Sequence, residues 1–413
     1  MTYLDHAATT PMHPLAVQAL VEQLGRTGNP SSLHDAGRAA RRVVEESREL
    51  LAARLGARPS EVVLTAGGTE ADNLAVKGVY WSRTAADPRR RRVLVSAVEH
   101  HAVLDPARWL EVQGAEVVLL PVDADGAVDV AALEAELAAH ADEVALVSVM
   151  WANNEIGTVQ PLRAVVEAAH ARGVPVHADA VQAVGQLDVS FAASGLDAMT
   201  VSAHKVGGPV GVGALVARRE LALAPVLHGG GQERGVRSGT VDAAGARAFA
   251  VAVDLAVAAR PAEAVRLAAL RDRLVDEVRR AVPGAVLRGP DPVAAPARRP
   301  GAASPAGSAG AAGEPARLPA NAHLTFRGCE GDSLLYLLDS AGIQCSTGSA
   351  CRAGVPQPSH VLLACGVAPD DARGALRFSL GRTSTGADVD AVVAALPGVV
   401  ERARAAGLAS AAR

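Results

Sequence analysis

Short, continuous apolar runs alternate along this chain with stretches in which apolar positions return every three or four residues. "HDAGRAARRVVEESRELLAARLG" carries the helical period, and "SEVVLTAGGTEADNLAVKGVY" reads as a strand, a glycine turn and a helix. The runs in "RRVLVSAVEH", "AEVVLLPVD", "VALVSVMWANNE", "VPVHADAVQ", "AMTVSAHK" and "GVGALVAR" predict strands, several separated by amphipathic segments such as "PLRAVVEAAHARG". Strands that are apolar on both faces and alternate with helices predict an α/β fold. Its large domain carries a mainly parallel sheet covered by helices on both faces. A long helical region, "TVDAAGARAFAVAVDLAVAARPAEAVRLAALRDRLVDEVRRAVPG", follows. Residues 290–319, rich in Pro, Ala and Gly without apolar period, predict a mobile surface insertion that is not core. Beyond it, "AHLTFRG", "DSLLYLLDSAG" and "GALRFSLGRTSTGADVDAVVAAL" predict a smaller α+β domain. The expected division is an N-terminal segment 1–16 packed on the small domain, a large domain 17–258 and a small domain 259–413.

Bulk composition narrows the function. At 413 residues and 49% hydrophobic content the chain has ample core, and a net charge of −4 offers no basic excess for nucleic acid or an anionic membrane surface. The start, "MTYLDHAATTPMHP", has no leader pattern, and no apolar run is long enough to span a bilayer, so a cytoplasmic enzyme of small-molecule chemistry is expected. Lysine occurs only at 77 and 205, so 38 of the 40 basic side chains are arginine. An amine, unlike a guanidinium, can lose its proton once desolvated and form a Schiff base. Lys77, in "ADNLAVKGVYW", reads as a helix-surface residue. Lys205, in "TVSAHKVGGPVGVG", sits between two strands and reads as the Schiff-base lysine.

Other groups then acquire a purpose. Asp179 ends the strand of "VPVHADAVQAVG"; it either caps the next segment or keeps a pyridine nitrogen protonated, and Gln182 stands three residues on. In "LTAGGTEADN" the turn at Gly68 and the hydroxyl of Thr69 converge on an anion such as a phosphate, with Ser202 and His204 flanking Lys205. With aromatic content at 2%, the imidazole of His100 in "SAVEHHAVL" is a candidate to stack on a ring. Four cysteines, at 329, 345, 351 and 365, fit a reducing compartment and lack zinc-site spacing. Cys329 and Cys365 read as plain buried thiols. The loop "CSTGSACRAGVPQPSH", holding Cys345 and Cys351, admits a metal site, a disulfide or a nucleophile that needs room to move.

The ordered set "YLDHAATTP", "GNPSSLH", "TAGGTEADN", "EHHAVL", "NNEIGTVQ", "HADAVQAVG", "SAHKVGGPVGVGAL", "HGGGQERGVRSGT", "STGSAC" and "RFSLGR" resembles the cysteine desulfurases of the NifS and IscS type. These are fold-type I pyridoxal 5'-phosphate enzymes of the class-V aminotransferase group, and the resemblance covers nearly the whole chain. It implies that Lys205 holds the cofactor, Asp179 pairs with its ring nitrogen, Gln182 meets its phenolate oxygen and His100 stacks on its ring. Gly68, Thr69, Ser202 and His204 would bind its phosphate, and Thr240 would arrive from the second copy of a homodimer. Asn154, also beside the cofactor, and Arg377 would position L-cysteine, Arg377 by gripping the carboxylate. Cys351 would be the nucleophile that takes the sulfur and passes it to an acceptor protein, an iron–sulfur scaffold or a tRNA-thiolation protein; Cys345 matches no role. The resemblance implies no metal and no direct contact with nucleic acid or membrane. A selenocysteine lyase or another sulfur-lyase on the same fold stays open as the alternative, as does a non-catalytic sulfur carrier or scaffold. His6 stands where the family usually has an aromatic residue, Arg352 follows the nucleophile, and the expected C-terminal tail for scaffold contact is short.

Overall fold

A computed structural model describes residues 1–292, 315–348 and 358–411. In chain order the strands are β1 (Thr2–Tyr3), β2 (Val62–Thr65), β3 (Arg92–Ser96), β4 (Glu116–Leu120), β5 (Val144–Ser148), β6 (Val176–Asp179), β7 (Ala198–Ser202), β8 (Gly213–Ala217), β9 (Ala285–Leu287), β10 (Asn321–Phe326), β11 (Ile343–Gln344) and β12 (Ala375–Ser379). The helices used below are α1 (Pro14–Leu24), α2 (Asp35–Leu55), α3 (Gly68–Ala86), α4 (His101–Glu111) and the very long α5 (Ala243–Ala281).

Strands β2 to β8 form one sheet in the order β2-β8-β7-β6-β5-β3-β4. The β3–β4, β3–β5, β5–β6 and β6–β7 pairs are parallel, while β8 runs antiparallel to both neighbours. β5, β6, β7 and β8 are buried along their whole length. That is why their sequences are mostly Val, Leu and Ala with no polar alternation, apart from Met199, Gly213 and the polar residues His177, Asp179, Thr200, Ser148 and Ser202, which are discussed below. The mainly parallel α/β sheet anticipated from these runs is the observed one.

A second core lies around the three-stranded antiparallel sheet β12-β10-β9, where Phe326, Phe378, Leu324 and Leu376 are fully buried. The N-terminus belongs to this half: β1 pairs in parallel with β11, and Leu4 is buried in the second core. α5 contributes to both cores, with Phe249 and Val253 in the first and Leu274 and Val278 in the second. It carries Pro261 inside and runs without interruption through residue 258, where the sequence places the division between domains.

One expectation is corrected here. Within 290–319, residues 293–314 lie outside the described residues, but the far end is packed core. Leu318 joins the main hydrophobic cluster, and the buried guanidinium of Arg317 donates to the carbonyls of Pro290, Arg288 and Asn321. A proline- and alanine-rich composition hides a segment that docks through backbone acceptors. Cys365 is likewise half-buried rather than buried, whereas Cys329 is enclosed as expected.

Candidate active site

The carboxyl ends of β6 and β7, the start of α3 and the second core enclose a cavity of about 410 Å³. Lys205 enters from the single 3-10 turn after β7, and its Nζ donates to the carbonyls of Ala7 at 2.5 Å and Ala8 at 2.8 Å. Two carbonyls hold the amine without neutralising it by a carboxylate. Burial, followed by the charge of Arg377, pulls its pKa down to about 8. The ordinary lysine is Lys77, whose ammonium lies over the ring of Trp109 at 4.4 Å; burial lowers its pKa too, but it stands outside the cavity.

Asp179 ends β6 on the cavity floor, where burial raises its pKa to about 6 against the help of a hydrogen bond from the Val181 N–H at 2.8 Å and the charge of Lys205. It caps the next turn and presents a carboxyl to the cavity. Gln182 is beside it, with its amide donating to the Ala7 carbonyl at 2.9 Å. His100 caps α4 through Nδ1, which accepts from the Ala102 N–H; its ring is exposed toward the cavity, and desolvation by the surrounding walls, followed by the charge of Lys205, lowers its pKa to about 4.

α3 begins at Gly68 with no side-chain cap, so the donors of its first turn face the cavity mouth unpaired by a neighbour's side chain. Its N-cap, Gly67, has φ +136°, a backbone state that side-chain-bearing residues avoid, and Gly213 packs against it so closely that a Cβ there would lie 2.7 Å from the Gly67 carbonyl carbon. The Thr69 side chain and the Ser202 hydroxyl line the same wall, and Ser202 Oγ is buried with no partner. His204 touches Thr9 Oγ1 at 3.3 Å and is held neutral by burial, its pKa lowered to about 4.

Across the cavity, β12 delivers Arg377. Its Nη1 donates to the Asn154 carbonyl at 2.9 Å and its Nη2 to Asp5 at 2.8 Å, while Nε is buried and unpartnered. Asn154 also lines the cavity, as do Ser346 and Gly348 at the start of the cysteine loop. Cys351 and Arg352 lie outside the described residues. Cys345 is buried behind Asp5 with its pKa raised to about 12, mainly by burial, which leaves it a thiol.

The structure thus brings Gly68, Thr69, His100, Asn154, Asp179, Gln182, Ser202, His204, Lys205 and Arg377 to one cavity. Thr240 is exposed and does not line it. Sequence reasoning missed Asp72, on the cavity wall one turn into α3, the Ala7 and Ala8 carbonyls, and Asp5. A signal for Asp5 is present in "YLDHAATTP", but nothing in the sequence ties it to an arginine 372 residues away.

The model of the class-V aminotransferase family matches residues 2–290 and 310–392. An IscS-like cysteine desulfurase of Mycobacterium tuberculosis is 56% identical over 100% of this chain and 99% of its own. Among solved structures, a NifS-like protein superposes with a TM-score of 0.84 at 32% identity over 97% of this chain and 99% of its own. SspA in complex with cysteine reaches 0.73 at 30% identity, covering 92% and 99% of the two chains. The family and its desulfurase members depend on pyridoxal 5'-phosphate. The cavity fits that group: an orphaned buried hydroxyl at Ser202 and an uncapped helix start suit a phosphate, a desolvated amine suits an aldehyde, and a buried carboxyl suits a ring nitrogen. By sequence, by fold and by the chemistry of this cavity, the chain belongs to the class-V aminotransferase family and, within it, to the cysteine desulfurases of the NifS and IscS type.

Proposed function

We propose that the chain takes L-cysteine into this cavity, releases L-alanine and keeps the sulfur as a persulfide on Cys351. The observation that carries this reading is the amine of Lys205, half-buried with only carbonyl partners and sharing a cavity with Asp179 and Arg377. Pyridoxal 5'-phosphate, when bound, supplies an electron sink for the pair left behind when the substrate loses its α-proton. Lys205 would hold it, with Asp179 toward the ring nitrogen, Gln182 toward the phenolate oxygen, His100 against the ring, Asn154 alongside, and Gly68, Thr69, Ser202 and His204 around the phosphate.

The chain's own residues do the rest. Arg377 offers its unpartnered Nε and the edge now paired with Asp5 to the substrate carboxylate, which fixes the α-carbon toward Lys205. A pKa of about 8 leaves a substantial fraction of the free amine unprotonated near neutral pH, so Nζ can take the α-proton. The Cys351 thiolate then attacks the substrate sulfur: a sulfur–sulfur bond forms, the carbon–sulfur bond breaks, and the electron pair passes to the β-carbon, which takes a proton, while the α-carbon regains the proton held by Lys205 to give alanine. Cysteine and enzyme thiol are consumed, and alanine and enzyme persulfide are formed. Small residues around Cys351 suit delivery of that sulfur to an acceptor protein, an iron–sulfur scaffold or a tRNA-thiolation carrier.

The working unit is a homodimer in which Thr240 reaches the second copy's phosphate wall. Supporting this, the segment before Thr240 is anchored to the body by two double ion pairs, Arg48 with Glu233 and Arg237 with Glu70, while Thr240 itself is exposed. The test is a stoichiometric assay: with L-cysteine, alanine and persulfide sulfur should appear one for one, and Cys351→Ser should abolish the persulfide. A Cys351→Ser enzyme that still releases alanine and sulfide at the original rate would overturn the role of Cys351.

A further inference from the structure

Beneath Asp179 lies a layer of buried polar groups that the reaction steps leave unused. His177 precedes Asp179 by two residues on β6, so both side chains project from the same face of the sheet, the face covered by α3. His177 Nδ1 is 2.9 Å from Ser148 Oγ on β5, and its Nε2 is 3.0 Å from Thr200 Oγ1 on β7. Asp72 descends from α3 onto this row: its Oδ1 is 3.5 Å from His177 Nε2 and has no hydrogen-bond partner, and the Thr200 hydroxyl acts on the carboxyl as a donor that lowers its pKa. Asp72 is 1% exposed and His177 is fully enclosed.

The charged and titratable groups facing this layer are few. Asp179 stands beside Asp72, and Glu99, beyond the end of β3, is buried with Oε1 accepting from the Met150 N–H at 2.5 Å and Oε2 unpartnered. The cations on the cavity side are Lys205 and Arg377, and Arg377 is already paired with Asp5. His100 and His204, on the same side, are neutral. Three buried carboxyl groups thus face one available ammonium. Ionising all three would leave two charges uncompensated in a dry interior, which such sites avoid by keeping protons.

Two hydrogen-bond directions fit the geometry. If Asp72 is ionised, the Thr200 hydroxyl donates to it, His177 Nε2–H donates to Thr200, and Ser148 donates to Nδ1. If Asp72 carries a proton, every arrow reverses. The carboxyl donates to Thr200, Thr200 donates to His177 Nε2, and Nδ1–H donates to Ser148. A salt bridge between an imidazolium and an ionised Asp72 is the remaining possibility, and the complete burial of the ring opposes it, lowering the His177 pKa to about 3.

We propose that Asp72 is a positioning residue that stays protonated and sets the direction of a hydrogen-bond chain through Thr200 and His177 to Ser148, so that Asp179 is the ionised carboxylate of the pair. The assignment rests on the reading of Asp179 as the partner of the cofactor ring. Its function is to keep a second negative charge away from Asp179 while still filling the space under it with polar groups. Burial and the charge of Asp179 push the Asp72 pKa well above the carboxylate range, outweighing the lowering by the Thr200 hydroxyl, in keeping with a protonated Asp72.

Nitrogen-15 NMR of the holoenzyme labelled at histidine reads the chain directly, with His177→Asn identifying the His177 signals. The expected result is a neutral ring protonated at Nδ1 and bare at Nε2; a ring protonated at Nε2, or at both nitrogens, overturns the proposal. Asp72→Asn gives a second reading, because an amide N–H donates to Thr200 as the acid would. That variant should keep the Nδ1–H form of His177 and a dissociation constant for pyridoxal 5'-phosphate within about threefold of the parent, whereas loss of a real charge beside Asp179 would move it further. A reversed ring, or a change beyond about threefold, overturns the assignment. Should Asp72→Asn fail to fold, the ring state of the parent decides alone. Asp179→Asn separates the two ideas: unchanged cofactor affinity in that variant would sink the reading of Asp179, and the protonation state of the His177 ring would then decide the role of Asp72.

Discussion

Two cavities lie back to back in this protein, with Lys205, Gln182, Val181 and Ala7 in the wall of each. The one described above is edged by carboxyls, imidazoles and uncapped backbone donors. The other, about 300 Å³, is bounded by the aliphatic face of α5, from Ala252 through Leu255, Ala256 and Ala259 to Leu267, and by Leu318, Leu380 and His6. Their volumes are of the same order, so size does not separate the reactive side from the inert one. The direction in which polar atoms point does. On the reactive side burial falls on groups that could be charged, which moves their proton affinities; on the other it falls mostly on methyl and methylene groups, which contributes stability.

The comparison breaks if substitutions on the two sides have the same kind of effect. The largest is expected at Lys205. Lys205→Ala should lower alanine formation by about 10⁴-fold, the scale of a lost acid–base group and covalent anchor, while Lys77→Ala stays within about twofold. Turnover assays on the two variants measure this. Next comes Arg377→Gln, which removes the charged partner proposed for the substrate carboxylate and should cost about 10²-fold in kcat/KM, with most of the loss in KM. On the aliphatic side, Leu267→Ala should leave kcat/KM within about twofold but lower unfolding free energy by about 2 kcal/mol, at the mild end for a leucine because it already borders a void. Denaturant titration gives the second number.

The smallest effect is a pH slope. His6 sits on the aliphatic side, its Nδ1 against Thr10 Oγ1 at 2.7 Å and its Nε2 buried without a partner, and burial lowers its pKa to about 4. In the unfolded chain it titrates near 6.5. Between these values the unfolded state binds the proton first, so stability is complete above pH 6.5 and is lost as pH falls toward 4, at up to about 1.4 kcal/mol per pH unit from this residue. His6→Phe, which keeps a ring beside Tyr3 but removes the titrating nitrogens, should flatten that part of the pH–stability curve without changing turnover at about pH 8. An identical acid slope in both proteins would show that His6 does not titrate between the folded and unfolded states. His100, with the same direction of shift on the reactive side, should keep its share of the slope in that variant.

Much of this is legible in the chain itself. Strands buried on both faces must be written in continuous apolar residues, so β2, β3 and β5 to β8 stand out, and the rarity of lysine singles out position 205. What stays hidden depends on juxtaposition. Asp72 follows a glycine turn and a glutamate, and in sequence it is one more polar residue in the first turns of a helix; only the packing of α3 on β6 and β7 sets it against His177. Arg317 sits in a segment whose composition signals disorder, and its burial rests on three carbonyls that composition does not encode. The sheet order, in which β8 returns between β2 and β7, is also unwritten in local pattern.

α5 connects the two halves mechanically. It is rooted in the sheet core at one end and in the Arg377 side of the molecule at the other, and Pro261 removes a backbone donor from its middle. A helix is stiff along its length but bends most easily where its ladder is interrupted. Any flexure of α5 would therefore fall at Pro261: for each ~10 Å of lever arm, a bend of about 6° there would translate into about 1 Å at the tip, the displacement at which an aligned reactant loses its alignment. Such a bend would move the Arg377 side of the cavity relative to the Lys205 side.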